Sequence, residues 1–446
     1  MKYHLFLLLL PFVSISYADE FDPQTYEVSN ELHNVLNQGL CNNNNIKASD
    51  LLVDDAEWNK RALYSDLYPK LQISGNNYRV KRETTYDSVD LTESNKGNSK
   101  SLNMVLSQKV FDGGVTFSKI QAAEMKRKSL IFENKQTIID TMLKISNVYY
   151  DIKLEEQVIS IREKGISQNQ ALLEIAQERY RNGVGTLIDI SIAKSRLAKA
   201  ELQFQQEKTK LEQNRMQLKS LLGKHNESSN CKVQLTYKQN LQLPNANIVL
   251  NNPLDFSPTV NALDAKYKAN KYQLQAIKRS LLPTVNFTAT HSLDTNSQYE
   301  SFGQKTDAWY VGFNFNFNIF DGLSTYSQMH ATSISGDVAK TNLAESIEQF
   351  KTEIEIAYNA LESNYKTYYL SKNILLQNNQ SFEGTVIKFK AGIGSLTDAL
   401  LSQNDLIDSQ ISVVSIKNNI LKEKGELMAK LLLFNDPELF EPTKPN

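Results

Sequence analysis

The chain of 446 residues has only two cysteines, Cys41 and Cys231, only ten prolines, and no excess of charge, with 49 lysines and arginines against 50 acids. The near-neutral balance gives no reason to expect nucleic acid as a partner. For the cysteines, spacing leaves two readings open: one disulfide in an oxidising compartment, or two unrelated buried thiols. No proline occurs between Pro69 and Pro244 or between Pro283 and Pro437. A proline inside a helix costs about 3 kcal/mol, so two such intervals predict long helices.

Long apolar runs are missing too. The one candidate is in the opening MKYHLFLLLLPFVSISYADE, where Lys2, the run Leu5 to Val13 and the small residues Ser16 and Ala18 read as a secretory signal peptide cleaved after Ala18. That run is too short to span a bilayer as a retained helix. The mature chain is therefore expected to be exported without a transmembrane helix. With no Cys at the cleavage point, an N-terminal lipid anchor is not expected.

Motifs that carry chemistry are equally scarce. His4 leaves with the signal peptide, and His33, His225, His291 and His330 have no metal-ligand spacing. There is no Walker-type phosphate loop and no nucleophile elbow; GVG and GIG are too short to count. These absences predict a protein that is not an enzyme, with no catalytic residues, no metal and no cofactor.

What the chain does contain is itself, twice. SQKVFDGG at 107–114 corresponds to NFNIFDGL at 316–323, and RNGVGTLIDI at 181–190 to KAGIGSLTDA at 390–399, both at an offset of 209. LYPKLQISG at 67–75 matches LLPTVNFTA at 281–289. Each half reads strand, loop, strand, long helix, turn, shorter helix. Ile138, Met142, Ile145, Tyr149 and Ile152 step by 4, 3, 4 and 3, and Leu343, Ile347, Phe350, Ile354, Ala357 and Leu361 continue the same rhythm, the seam of helices packed as in a coiled coil. From Val115 to Tyr180 the helix is roughly 100 Å long if unbroken. Asp112 and Asp321 stand where they can cap the long helices. Segments 28–66 and 255–281 are also expected to be helical, and scattered Lys and Glu along the rods read as solvated faces.

The strands have an unusual division. In WYVGFNFNFNIF, Trp309, Val311, Phe313, Phe315, Phe317 and Ile319 alternate with Tyr310, Gly312 and the asparagines Asn314, Asn316 and Asn318. One face is apolar and the other polar. Roughly ten-residue segments of this kind joined by polar loops, here 81–99 and 292–308, are the pattern of a transmembrane β-barrel. Four strands leave two open edges, so several copies must share one closed barrel.

The motifs Leu67-Tyr68-Pro69 and Leu282-Pro283 before the first strands, Phe111-Asp112-Gly113 and Phe320-Asp321-Gly322, and the turns RYRNGVGTLIDI and KFKAGIGSLTDAL together resemble the TolC family of outer-membrane efflux and secretion channels. The resemblance covers 19–435. It implies a mainly α fold with a small β part. Three copies would form a homotrimeric, twelve-stranded barrel continued by a long periplasmic α-helical barrel. The implied layout is signal peptide 1–18; first repeat 19–222, with strands about 69–81 and 101–112 and a helical hairpin 113–222 whose tip is at 183–186; and an equatorial linker 223–254. Then come the second repeat 255–433, with strands about 283–292 and 309–320 and a hairpin 321–433 whose tip is at 392–395, and a tail 434–446.

The function implied is an exit duct in the outer membrane, contacting its lipid. Its partners would be a periplasmic adaptor and an inner-membrane transporter, of ABC type in preference to RND type. The segment around Cys41 resembles the type I secretion subset, which implies a Cys41–Cys231 disulfide. At the tips, whose turns carry Gly183, Gly185, Gly392 and Gly394, the resemblance implies a gate built from Tyr180, Asp189, Phe389 and Asp398. The chain departs from the family pattern at Leu401, where a second acid is expected, and at Gly394, where a base is expected. Read from position alone, Asp189 and Asp398 are equally helix N-terminal caps, and Tyr180 and Phe389 apolar staples. A secreted coiled-coil structural or adhesive protein is the rival reading.

Overall fold

A computed structural model describes residues 25–26, 29–86, 91–223, 241–243, 245–296 and 304–431. The expected signal peptide and C-terminal tail, most of the linker and Cys231 lie outside them. In chain order the elements are β1 (Thr25–Tyr26), α1 (Asn30–Asn42), α2 (Asn44–Tyr64), β2 (Lys70–Tyr86), β3 (Leu91–Phe111), α3 (Val115–Arg181) and α4 (Leu187–Leu222). There follow β4 (Leu241–Gln242), α5 (Ala246–Asn251), α6 (Pro253–Phe256), α7 (Pro258–Arg279), β5 (Thr284–Asn296), β6 (Gln304–Asn316), α8 (Ser324–Lys390) and α9 (Leu396–Leu431). The short β1 and β4 pair with each other.

The repeat is exact in its lengths. α3 and α8 each have 67 residues, and α4 and α9 each have 36. At 1.5 Å per residue the long helices reach about 100 Å. Asp112 starts the first of them by accepting the amides of Gly114 (2.9 Å) and Thr116 (2.8 Å), and Asp321 accepts that of Thr325 (2.9 Å). Burial pushes the Asp112 carboxyl up, but bonds from the Thr116 hydroxyl and the Thr116 and Gly114 amides hold it below the usual range; at Asp321 the Thr325 hydroxyl and amide do the same against a smaller effect of burial.

The seams read from the sequence are where the helices meet. Ile138, Met142, Ile145 and Tyr149 of α3 pack with Leu32, Leu36 and Leu40 of α1 and Ile46 of α2. Phe350, Ile354 and Leu361 of α8 pack with Val413, Ile420, Leu427 and Leu431 of α9, and with Val260 of α7. Helix α3 lies against α2 and α7 near the sheet and against α4 and α9 farther along, while α8 lies against α7 and α9. Two charge clusters fix this order. Glu57 of α2 meets Lys60, Arg61 and Arg127, which hold its carboxyl down at about 2, and Lys422 of α9 pairs with Asp151 of α3. Arg279, closing α7, donates to the Gly114 carbonyl (3.2 Å) and to Ser118 Oγ (2.7 Å), locking the sheet end of the bundle.

The four long strands form one antiparallel sheet in the order β2-β3-β5-β6. They run past the expected bounds of 69–81, 101–112 and 283–292, and the segments 81–99 and 292–308, expected as polar loops, are largely ladder. Tyr86 pairs with Leu91, and Asn296 with Gln304. The sequence of these segments is mostly polar at both alternating sets of positions, so it lacks the period-two signal by which the other strand residues were recognised. β6 also differs from the expected 309–320: it starts at Gln304 and ends at Asn316. Phe317 and Ile319 lie beyond Thr284, the first residue of β5, and have no strand beside them within the chain.

Candidate functional site: the sheet faces and the hairpin tips

The register sorts side chains to two faces. On one face, successive cross-strand rows read Gly75, Leu102, Leu293, Asp307; then Ile73, Met104, His291, Trp309; then Leu71, Leu106, Ala289, Val311. Next come Gln108, Phe287, Phe313 and finally, past a bulge, Phe111, Val285, Phe315. On the other face lie Gln72, Val105, Thr290, Tyr310 and Ser74, Asn103, Ser292, Ala308. There Asn314 Nδ2 donates to Thr288 Oγ1 at 3.2 Å. The apolar face is bare in the single chain: Phe313 is 70% exposed and Phe315 68%. Phe287 and Phe313 meet edge-to-face at 5.6 Å, and His291 stacks on Trp309 at 4.1 Å while its Nε2 bonds Asp307 at 2.8 Å. Five rows about 7 Å apart along the strands span about 27 Å. With the usual strand tilt, that fits the apolar band of a membrane barrel, about 25 Å tall.

The opposite end of the chain carries the two hairpin tips. α3 ends in a Schellman turn, with Gly183 N bonded to the Tyr180 carbonyl (3.0 Å) and Val184 N to the Arg179 carbonyl (3.0 Å). α8 ends identically, through Gly392 N to Phe389 (3.2 Å) and Ile393 N to Lys388 (3.1 Å). Gly183 and Gly392 have φ of 77° and 83°, the left-handed region that glycine enters without penalty. A Cβ on Gly394 would lie 2.9 Å from the Lys388 Cβ, so the base expected there cannot enter this turn unchanged.

The four residues expected at the gate separate into unlike environments. Asp189 is engaged in a capping box: its amide donates to Thr186 Oγ1 (3.1 Å), and its carboxylate accepts from the Thr186 amide (3.2 Å) and hydroxyl (2.8 Å). Asp398 only donates its amide to Ser395 Oγ (3.1 Å), and its exposed carboxylate accepts no hydrogen bond among the described residues. Phe389 is 3% exposed, packed with Leu172, Ala176, Leu396 and Leu400, whereas Tyr180 is 42% exposed. Leu401, standing in place of an expected acid, is exposed, as are Val184 and Ile393.

The sequence reading missed Arg179. Its guanidinium lies 4.8 Å from the Phe389 ring centroid, and Nη1 donates to the Phe389 carbonyl at 2.8 Å, so it joins the first hairpin tip to the second. Its counterpart at the repeat offset is Lys388, a mismatch in the duplicated turns that could have drawn attention to it.

No helix among the described residues is long and apolar enough to cross a membrane. A sheet of this kind, carried on two antiparallel helical hairpins, defines a barrel-forming outer-membrane channel subunit. Residues 35–224 and 249–431 match the family of outer membrane efflux proteins, and the chain belongs to that family. It is a protein of the outer membrane, and the rival reading as a coiled-coil adhesive protein gives way to this assignment.

Among its relatives is the outer membrane efflux protein BepC of Brucella suis, 22% identical over 324 residues, 71% of this chain and 68% of that protein. The probable efflux pump outer membrane protein TtgC of Pseudomonas putida is 18% identical over 401 residues, 90% of this chain and 82% of that one. In structure the chain is similar to the CmeC outer membrane channel of Campylobacter jejuni, with a TM-score of 0.78 at 18% identity over 97% of this chain and 92% of that one.

Proposed function

We propose that three copies close into the exit duct of a tripartite export system. The carrying observation is that the chain is open along both flanks at every level. β2 and β6 are sheet edges, and among the described residues the layer of long helices ends at α2 and α4 beside α3 on one flank and at α8 beside α7 and α9 on the other. An unpaired strand edge in hydrocarbon costs several kcal/mol per backbone group, so the β6 edge of one copy must meet the β2 edge of the next. Three copies supply twelve strands; two supply eight, which leave little lumen.

In this assembly the phenylalanine face meets lipid, the asparagine face lines a water-filled passage, and the helices extend into the periplasm to a tip that opens and closes. Substrate passes through without chemistry, and opening is driven by a periplasmic adaptor and an inner-membrane transporter. The transporter is of ABC type in preference to RND type. The bonded Cys41, with Cys231 the chain's other cysteine, supports the type I secretion subset. The relatives' names support efflux as the broader role.

At the gate, Asp398 contributes one ring of three carboxylates to the pore. Tyr180 supplies an exposed hydroxyl for a link between copies. Phe389 is the staple that holds the tip's shape, and Asp189 is the cap of α4, its carboxylate engaged by Thr186. Planar-bilayer recording of the purified mature chain tests the reading. Discrete conductance with cation preference, reduced by Asp398→Asn and unchanged by Asp189→Asn, is expected. Absence of channels would end the duct proposal, and unchanged selectivity in Asp398→Asn would reduce that residue to a cap.

A further inference from the structure

The two strand hairpins are unequal, and the rows just past the apolar band concentrate cations on one face. Pairing between β3 and β5 stops at Ser99 and Asn296, but β2 and β3 continue to Tyr86 and Leu91. On the face that carries Phe313, the row directly past Leu102, Leu293 and Asp307 holds Asn77, Lys100, Thr295 and Lys305. The next pairs Arg79 with Asn98, and the one after it sets Lys81 opposite Lys96. Five cations thus occupy three successive rows just past the apolar band, all five exposed.

On the opposite face the rows between these carry Asn76, Ser101, Asp294 and Thr306, then Tyr78 and Ser99, then Val80 and Gly97; its first cation, Arg82, stands one residue beyond Lys81, opposite Asn95. Among the described residues, two carboxylates share the cationic face. Asp307 is engaged by His291, and Glu83 by Lys81 at 2.6 Å. Among the described residues, Arg79, Lys96, Lys100 and Lys305 have no carboxylate within ion-pair distance. Like charges set directly opposite in a ladder destabilise it, so Lys81 facing Lys96 has no explanation within the sheet.

We propose that Arg79, Lys81, Lys96, Lys100 and Lys305 form a basic belt that binds the phosphate groups of lipid headgroups in the outer leaflet of the outer membrane. The inference rests on the barrel reading above, which turns this face to lipid and sets these rows at the headgroup level. Long cationic side chains reach phosphates there while their stems lie along the apolar band. Rows about 7 Å apart let one phosphate be shared by cations of adjacent rows, and closure of the barrel repeats the belt in every copy.

The test reconstitutes the full-length mature protein in zwitterionic bilayers doped with bisphosphorylated lipid A or with the same lipid stripped of phosphate, and measures lipid retained after detergent extraction. The wild type is expected to retain the phosphorylated form at least tenfold over the stripped form at low salt. The ratio should fall toward one in R79Q/K96Q/K100Q/K305Q, while channel conductance is unchanged. K100Q/K305Q serves if the fourfold variant does not insert, with a ratio intermediate between the two, and K100R/K305R keeps the wild-type ratio. Channels that conduct but retain both lipids equally, or an unchanged ratio in the glutamine variants, overturn the belt alone. A wild type that forms no channels overturns the barrel reading instead.

Discussion

Helices α3 and α8 have the same length and the same place in their repeats, yet α3 buries nineteen residues and α8 seven. The shorter helices invert the pattern, with three buried in α4 and sixteen in α9. Both differences have one cause. α3 and α9 lie in the middle of the chain's own helix layer, and α4 and α8 at its two flanks. On α8, Ile334, Val338, Ile356, Leu370 and Ile374 are all exposed, and their spacings of 4, 18, 14 and 4 put them on one helical face, roughly opposite the Phe350, Ile354, Leu361 seam. A helix apolar on two opposite faces is built for a neighbour on each side. α4 has a weaker counterpart in Leu187, Ile188, Leu202 and Met216, exposed opposite Ala193, Glu207 and Leu211.

The largest effect should come from breaking the outer face of α8. Ile356→Asp with Ile374→Asp puts two unpaired charges into the contact between copies, at several kcal/mol each. Size-exclusion chromatography with light scattering should then find no oligomer, although circular dichroism keeps the helix signal of the single chain. Retention of the wild-type oligomer would show that this face is not a contact. Ile145→Ala on α3 tests the opposite case. Ile145 is fully buried within the chain, so its truncation should cost about 2–5 kcal/mol of thermal or denaturant stability without changing subunit number.

A third difference lies at one repeat position. Glu155 on α3 is pushed up to about 7 by burial and by the neighbouring Glu207. The equivalent residue of the second repeat is Asn364, whose amide donates to both oxygens of Glu423 at 2.8 Å. A carboxyl raised in the folded state binds its proton there after the unfolded chain has lost it. Its contribution is therefore greatest below about pH 4.5, declines as the pH rises toward about 7, and stays low above that. Melting temperature followed from pH 5 to 8 should show this decline, and Glu155→Gln should flatten it. An identical profile in the variant would remove Glu155 as its source.

The smallest effect is expected where the repeats diverge at their helix starts. Gly114 has φ 83°, and Leu323 holds the corresponding place at φ 66°. A left-handed non-glycine residue costs about 1–2 kcal/mol, so Leu323→Gly should raise stability by about 1 kcal/mol. Gly114→Leu should lower it by more, because its Cβ would also meet Arg279 Nη1 at 3.1 Å. A stabilising Gly114→Leu would contradict this.

The repeat, the helix seams and the strand alternation were legible because each repeats with a fixed period. The apolar face of β6 could be read because every second residue is large. The ladder residues within 81–86 and 91–99 could not, because a sequence polar at nearly every position carries no alternation. At the tips the turns were readable from Gly-x-Gly, and a helix-start role for Asp189 from its place just past the turn, but not its partner Thr186. The unlike surroundings of Asp189 and Asp398 were not, since each follows its turn by the same number of residues. Arg179 was hidden because its partner, Phe389, is 210 residues away. The outer face of α8 was written in the sequence, but it gains meaning only once α7 and α9 are seen to occupy the other side.

The central claim is that the open flanks of one chain close on further copies. The mass of the detergent-solubilised protein, measured by native mass spectrometry, tests it most directly. The account predicts three times the mass of the mature chain. A monomer soluble without detergent, or a stable dimer, would contradict it.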